Sequence, residues 1–304
     1  MSSRKRLSFS LLCACMVLLL CTACGNAGSG GNAGNTTSKV ISVVAAENFY
    51  GDLVQQIGGN HVDVVSILSD PDVDPHEYES NVQNATAVAK AQLVIENSGG
   101  YDDWMDKLLS GSPNSSRLVV KAFDVARVKL EDNEHVWYSI DNAQTIAQTI
   151  TERLKQLDSA DAATFDSNLQ KLNTALQQIQ QKITAIKSKH ANTPVALTET
   201  IFLYQSGPLG LHVLTPTEFQ KAVAEGNDPP ANTVITADDQ INQQQVKVLI
   251  YNEQTSTAVT LKLQHDAQAH HIPIVAVTET MPKGKTYQSW MSDQLTALEQ
   301  ALGA

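Results

Sequence analysis

The stretch that decides the fold is residues 159–190, SADAATFDSNLQKLNTALQQIQQKITAIKSKH, in a chain of 304 residues. Its main apolar residues recur at steps of three and four, which is the spacing of one face of an α-helix. They are Leu169, Leu172, Leu176, Ile179, Ile183 and Ile186. No glycine or proline interrupts this pattern, and glutamine and lysine cover the opposite face. The pattern predicts one long helix with a single apolar face, which stops before Pro194.

On both sides of this helix, short apolar runs alternate with helical patterns, which predicts an α/β fold with mainly parallel sheets. The predicted strands before it are 40–45, 62–68, 93–96 and 118–121, and the predicted helices include 85–91, 101–109 and 142–157. The predicted strands after it are 195–197, 246–251 and 274–277, and the helices are 216–224, 257–269 and 289–302. We therefore expect an N-terminal lobe at 40–158, a linking helix at 159–191 and a C-terminal lobe at 192–304.

The start of the chain predicts a bacterial lipoprotein signal. Three basic residues at 4–6 precede an apolar run at 11–20, which is too short for a comfortable membrane span. Small residues then precede Cys24, so we expect residues 1–23 to be removed and Cys24 to carry the lipid. An ordinary secretory signal cleaved nearby is the alternative.

The composition after the signal predicts a tethered body outside the cytoplasm. Residues 24–39 are rich in glycine, asparagine and serine and predict a flexible tether. All four cysteines lie in the first 24 residues, so the body has no disulfide. The net charge of −11 becomes −14 without the three signal cations, which argues against nucleic acid as a partner. We expect a lipid-anchored protein at the extracytoplasmic face of the bacterial cell membrane.

Four side chains stand in short polar motifs at the ends of predicted strands or in loops. They are His76 in DPHEYE, His135 in EHVW, Glu199 in the first TET tripeptide and Glu279 in the second. Imidazoles and carboxylates are ligands for divalent transition metals. Ligands of open α/β sheets bind beyond the carboxyl ends of the strands. The two histidines belong to the first lobe and the two glutamates to the second, so these residues predict one metal ion in the cleft between the lobes.

Each of these residues also has a simpler interpretation when it is taken alone. His76 and His135 would then be ordinary loop histidines. Glu199 and Glu279 would be acidic residues at helix N-termini, where the helix dipole favours them. Glu253 is open to two interpretations, an acid that orients a metal ligand or an ordinary surface acid.

Taken in order, the motifs resemble those of the metal-binding lipoproteins of bacterial ABC importers for zinc and manganese, the ZnuA/PsaA/TroA-like family. The resemblance covers essentially the whole mature chain, and the order and spacing of its motifs are more specific than any one tripeptide. The segments that carry it are IGGN at 57–60, DPHEYE at 74–79, SGGYDDWM at 98–105, HVW at 135–137, TET at 198–200, YNE at 251–253 and TET at 278–280.

The resemblance implies that His76, His135, Glu199 and Glu279 hold one divalent ion, Mn²⁺ or Zn²⁺. The family usually has aspartate at the fourth position, where this chain has Glu279. Zinc-specific members often carry a histidine-rich acidic loop, and 124–133 contains no histidine, which slightly favours manganese. The resemblance also implies that a monomer delivers its ion to the membrane permease of an ABC importer.

Three other functions remain as alternatives. A surface zinc enzyme would keep an open coordination position for water, and the chain contains no HExxH motif. A haem- or siderophore-binding lipoprotein of the same architecture would need an apolar or basic cleft. An adhesin is the third alternative. We expect a binding protein, because four protein ligands would enclose an ion instead of leaving it open to react.

Overall fold

The computed structural model describes residues 40–69, 78 and 81–303. The predicted signal and tether, the lipidation site Cys24 and the candidate ligand His76 lie outside the described residues. Among the described helices, none is both long and apolar enough to cross a membrane.

The first lobe contains a parallel sheet of four strands, β1 (Ile41–Glu47), β2 (Val62–Leu68), β3 (Leu93–Glu96) and β4 (Leu118–Lys121), in the order β2-β1-β3-β4. Its helices are α1 (Asn48–Gly58), α2 (Val82–Lys90), α3 (Asp103–Gly111), α4 (Ala122–Val125) and α5 (Ile140–Leu157). Alternate residues of β1 enter different clusters, since Val43 and Ala45 pack on one side and Val44 and Ala46 on the other. The sheet is therefore covered on both faces, which explains why its central strand is apolar throughout.

The second lobe repeats this architecture. Its strands are β5 (Pro194–Leu197), β6 (His212–Val213), β7 (Val248–Asn252) and β8 (Ile274–Val277), all parallel, in the order β6-β5-β7-β8. Its helices are α7 (Leu203–Leu209), α8 (Thr217–Ala224), α9 (Ala231–Asn242), α10 (Ala258–Ala269) and α11 (Tyr287–Leu302). The predicted fold class, two α/β lobes around a long helix, is confirmed.

The long helix between the lobes, α6, runs over Ala162–His190. Its buried face consists of Phe165 and the six predicted apolar residues. It packs against α1 and α5 of the first lobe and against α7 and α11 of the second. It begins three residues later than predicted, after a turn in which the Asp161 carboxylate pairs with Nδ1 of His61 at 2.9 Å. One apolar cluster runs from β1 through α6 to β5 and α11, so the two lobes share a core.

Three elements of the second lobe were not predicted: α7, β6 and α9. Helix α7 contains Gly207 and Pro208, a pair that usually marks a turn. Strand β6 has only two residues, too few to show a period. Helix α9 is largely polar on its exposed side, and Ile235 is 62% exposed, which blurs its helical pattern. None of the three supplies a predicted metal ligand.

Candidate metal centre

The two predicted glutamates lie at the carboxyl edge of the second sheet. Glu199 follows β5 by two residues, and Glu279 follows β8 by two residues. Strand β7 lies between β5 and β8, and its last residue is Asn252. Since all these strands are parallel, the three side chains emerge at one edge, where ligands of such sheets bind.

The structure brings His135 of the first lobe to the same place. His135 precedes a short 3-10 turn over Val136–Tyr138 that leads into α5. One ligand atom each of His135, Glu199 and Glu279 lies within 4.8 Å of the other two. Donors held about 2.0–2.2 Å from a common ion lie roughly 3–4 Å apart, so only small movements separate this arrangement from a coordination sphere.

The centre is closed to solvent. The exposed fractions are 0% for His135, 2% for Glu199 and 1% for Glu279. Carboxylates are almost never buried so fully unless they are paired or bind a cation. The burial therefore supports a binding role over the interpretation of the two glutamates as ordinary surface acids at helix starts.

Glu279 is held from both lobes. Its Oε2 accepts a hydrogen bond from the Tyr101 hydroxyl of the first lobe at 2.9 Å. Its Oε1 accepts one from Asn252 Nδ2 at 2.6 Å and a longer one from Thr255 Oγ1 at 3.4 Å. The carboxylate orientation is therefore fixed at both oxygens before any ion enters.

The backbone around Glu279 is fixed as firmly as its side chain. Oε1 of Gln254 accepts hydrogen bonds from the amides of Glu279 at 2.7 Å and Thr280 at 3.0 Å. Asn48, at the start of α1, donates to the Met281 carbonyl at 2.7 Å and accepts from the Met281 amide at 3.0 Å. A side chain from the first lobe thus clamps the loop that carries a second-lobe ligand.

Glu199 is in a different electrostatic position. Burial, followed by the nearby Glu279 carboxylate, raises the pKa of Glu199 well above its ordinary value. Within the described part of the chain, neither of its oxygens accepts a hydrogen bond of ordinary geometry. A divalent cation between the two carboxylates would offset both the burial and the repulsion, so the donor set fits such an ion.

His135 is surrounded by aromatic rings and one amide. Its ring lies 5.2 Å from Trp137 and 5.9 Å from Tyr101, between ring centres. Oδ1 of Asn133 accepts a hydrogen bond from the His135 backbone amide at 3.1 Å. The same oxygen lies 3.0 Å from Nδ1 of the His135 ring. Nδ2 of Asn133 donates to the carbonyl of Thr200, the residue after Glu199, at 2.8 Å.

The other predicted site residues are placed differently. His76 lies outside the described residues, so its ligand role stays a prediction. Glu253 is exposed, and the preceding residue, Asn252, makes the contact with Glu279. Sequence reasoning did not assign roles to Tyr101, Asn133 or Asn252. Tyr101 and Asn252 lie inside motifs that carried the family resemblance, which was the available signal.

A second cluster of candidate donors among the described residues lies near the start of α6. It contains His61, Asp158 and Asp161, each partly exposed. His61 and Asp161 already pair with each other, with Nδ1 of the imidazole 2.9 Å from a carboxylate oxygen. Because this pair accounts for the arrangement without a metal, we assign no binding role to it.

A family model described as zinc-uptake complex component A, periplasmic, matches residues 43–301. The chain belongs to this family. The resemblance predicted from the motifs is therefore confirmed over nearly all of the described residues.

Two relatives of this chain are named as components of ABC transporters. A metal ABC transporter substrate-binding lipoprotein, ScbA of Streptococcus cristatus, is 23% identical, with 95% of this chain and 98% of the relative covered. A manganese ABC transporter substrate-binding lipoprotein, PsaA of Streptococcus anginosus, is 22% identical, with 88% and 91% covered. The solved periplasmic zinc binding protein TroA of Treponema pallidum matches with a TM-score of 0.72 at 19% identity, covering 86% of this chain and 98% of that one. This last likeness shows that the fold is shared.

Membership of this family decides between a transport binding protein and a surface metalloenzyme. The family and the named relatives are binding components of transporters and not enzymes. The surface metalloenzyme is therefore not supported, and the prediction of a transport binding protein is confirmed.

Proposed function

We propose that this protein binds one divalent transition metal ion through His135, Glu199 and Glu279, with His76 as the fourth ligand. The observation that carries the proposal is the convergence of three buried donors from two lobes within 4.8 Å. Two neutral imidazoles and two carboxylates would neutralise a divalent charge, which favours holding such an ion in a closed site.

The ion is cargo for a membrane permease of an ABC importer. The transporter names of the relatives support this role. A lipid on Cys24 and the tether at 24–39 would hold the body at the extracytoplasmic face of the membrane, where it works as a monomer. These parts of the proposal rest on the sequence.

The ion is Mn²⁺ or Zn²⁺, and two carboxylate ligands favour manganese. Of the relatives named above, one is a manganese transporter component and another a zinc binding protein. Zinc binds this kind of donor set more tightly as a rule, so availability decides as much as affinity. Direct competition between the two ions on the purified protein distinguishes them.

An acidic cavity lined partly by the segment that precedes His135 argues against haem or an anionic siderophore. This cavity, of about 550 Å³, is lined in part by Asp132 and Glu134 of that segment and by Glu225 of the second lobe. Lys221 pairs with Asp132 at 2.6 Å, and the negative charges of Glu134 and Glu225 disfavour the carboxylates of haem.

Isothermal titration of the metal-free protein with Mn²⁺ and Zn²⁺ tests the proposal. We expect one site in the wild type and at least about 100-fold weaker binding in His135→Ala, since even changes outside the ligand shell cost 10–100-fold. Glu253→Gln is the matched control, because it removes an exposed acid near the centre. Equal metal affinity in the wild type and His135→Ala would contradict the proposed site.

A further inference from the structure

We propose that Asn133 is the positioning residue that sets the tautomer of His135 and ties this histidine to the loop that carries Glu199. The proposal rests on the proposed function of His135 as a metal ligand. It goes beyond that function because it identifies which ring nitrogen meets the ion and why.

The side-chain amide of Asn133 has one orientation that fits its neighbours. Its oxygen faces the His135 backbone amide, and its nitrogen faces the Thr200 carbonyl oxygen. A flipped amide would place a donor against a donor and an acceptor against an acceptor. Only the observed orientation satisfies both neighbours, so the hydrogen-bond network itself assigns it.

This orientation of the Asn133 amide determines the tautomer of His135. An amide oxygen only accepts, so the ring nitrogen 3.0 Å from it, Nδ1 of His135, must carry the hydrogen. A neutral imidazole then has its lone pair on Nε2, and that is the nitrogen available to a metal. Metal-bound histidines commonly use the other ring N–H in this way, which fixes both ring orientation and tautomer.

Asn133 also connects the two lobes. Asn133 belongs to the first lobe and is 3% exposed, and it reaches the residue next to Glu199 in the second. Its backbone carbonyl accepts a hydrogen bond from the Tyr204 hydroxyl of the second lobe at 2.8 Å. Asn133 therefore holds two proposed ligands, one from each lobe, in a fixed relation.

The choice of asparagine separates these two roles. A carboxylate at this position could accept from Nδ1 of His135 but could not donate to the Thr200 carbonyl. Asn133→Asp therefore keeps the acceptor for Nδ1 of His135 and loses the hydrogen bond to the Thr200 carbonyl. Asn133→Ala loses both contacts. Tyr204→Phe is the matched control. It removes the hydroxyl that donates to the Asn133 carbonyl and accepts from the Leu130 amide, both across the lobes, and it leaves the imidazole contact intact.

The experiment is ¹⁵N NMR of the histidine rings in the metal-free full-length protein, with His135 assigned from the spectrum of His135→Gln. We expect the Nδ1–H tautomer in the wild type, Asn133→Asp and Tyr204→Phe, and its loss in Asn133→Ala. Titration with Zn²⁺ should show roughly 10–100-fold weaker binding for Asn133→Ala. Tyr204→Phe should bind within about twofold of the wild type, since its bond supports the fold and not the ring.

An Nε2–H tautomer in the wild type would overturn the proposal without any variant, and so would a retained Nδ1–H tautomer with wild-type affinity in Asn133→Ala. If Asn133→Ala does not fold, the wild-type and Asn133→Asp spectra still decide the tautomer. A wild type with the expected tautomer that binds neither Mn²⁺ nor Zn²⁺ would contradict the proposed function and support Asn133 as the residue that sets the tautomer.

Discussion

The length of the Glu279 side chain lets its two carboxylate oxygens reach partners in both lobes. Its two oxygens meet Tyr101 from one lobe and Asn252 from the other. Glu279→Asp shortens the side chain by one methylene and cannot keep both contacts while reaching the ion. We expect about 10–100-fold weaker metal binding by titration, although aspartate is the commoner residue here in the family that the sequence resembles.

The control for this change is Glu253→Asp, which shortens an exposed acid by the same methylene. Its affinity should equal that of the wild type. Binding by Glu279→Asp that is as tight as the wild type would show that the two hydrogen bonds do not fix the ligand.

Metal uptake should release a proton from Glu199. Burial and the Glu279 carboxylate raise the pKa of Glu199 well above its ordinary value, so the metal-free protein holds a proton there at pH values where a free glutamate does not. The cation displaces this proton, and affinity therefore rises with pH. Calorimetry in buffers of different ionisation enthalpy should show that this group releases protons when the ion binds, and that it releases more at lower pH.

The matched variant for proton release is Glu199→Gln, titrated at higher concentration to compensate for weaker binding. It should release correspondingly fewer protons per ion. Identical binding heats in all buffers for the wild type would show that Glu199 is already ionised in the metal-free protein.

Among the elements, the carboxyl end of β3 and the start of α3 carry two buried acids, Glu96 and Asp102, that are not among the proposed ligands. Burial raises the pKa of Glu96 to about 7, against the opposing hydrogen bond of Lys121, and burial raises that of Asp102 to about 6. Below the unfolded values of 4.5 and 3.8, both folded and unfolded chains hold these protons. Between those values and 6–7 the folded chain holds more, so its stability falls as pH rises.

Chemical denaturation of the metal-free protein at several pH values measures this effect. We expect the free energy of unfolding to be about 1–3 kcal/mol lower at pH 8 than at pH 5, and Glu96→Gln to reduce the difference. Glu152→Gln, which changes an exposed acid on α5, should leave the difference unchanged. A free energy of unfolding that rises between pH 5 and pH 8 in the wild type would contradict the expected direction of this pH dependence.

Most elements were predictable because their signals are local. The apolar spacing of α6 needs only its own sequence, and strands β3 and β4 were predicted with the bounds that the structure shows. Helix α7 was missed because it contains Gly207 and Pro208, which usually mark a turn and not a helix. The positions of the two glutamates at the carboxyl ends of β5 and β8 were predictable from the repeated tripeptides after strands. The contacts of Asn133 were not, since one of them is with the Thr200 carbonyl 67 positions away.

At the scale of the whole molecule, the two lobes are joined beside the centre by side chains that would have to separate for the ion to leave. Asn48 makes two of these hydrogen bonds, both to Met281. Asn48→Ala removes both and leaves the Met281 groups without this partner, which costs about 1–3 kcal/mol in the closed state. We expect metal dissociation into a chelator, followed by stopped flow, to accelerate by about 5–100-fold.

Asn232→Ala is the control for dissociation, since it changes an exposed asparagine on α9. Its dissociation rate should equal that of the wild type. An unchanged rate in Asn48→Ala would indicate that release does not require separation of α1 from the Glu279 loop.

Anomalous diffraction from crystals of the metal-loaded protein, recorded at the absorption edge of the bound ion, tests the central claim most directly. The proposed site predicts one peak per molecule, about 2.0–2.3 Å from Nε2 of His135 and from carboxylate oxygens of Glu199 and Glu279, with His76 as the fourth ligand. A peak elsewhere in the molecule, or one that lacks either glutamate, would contradict it.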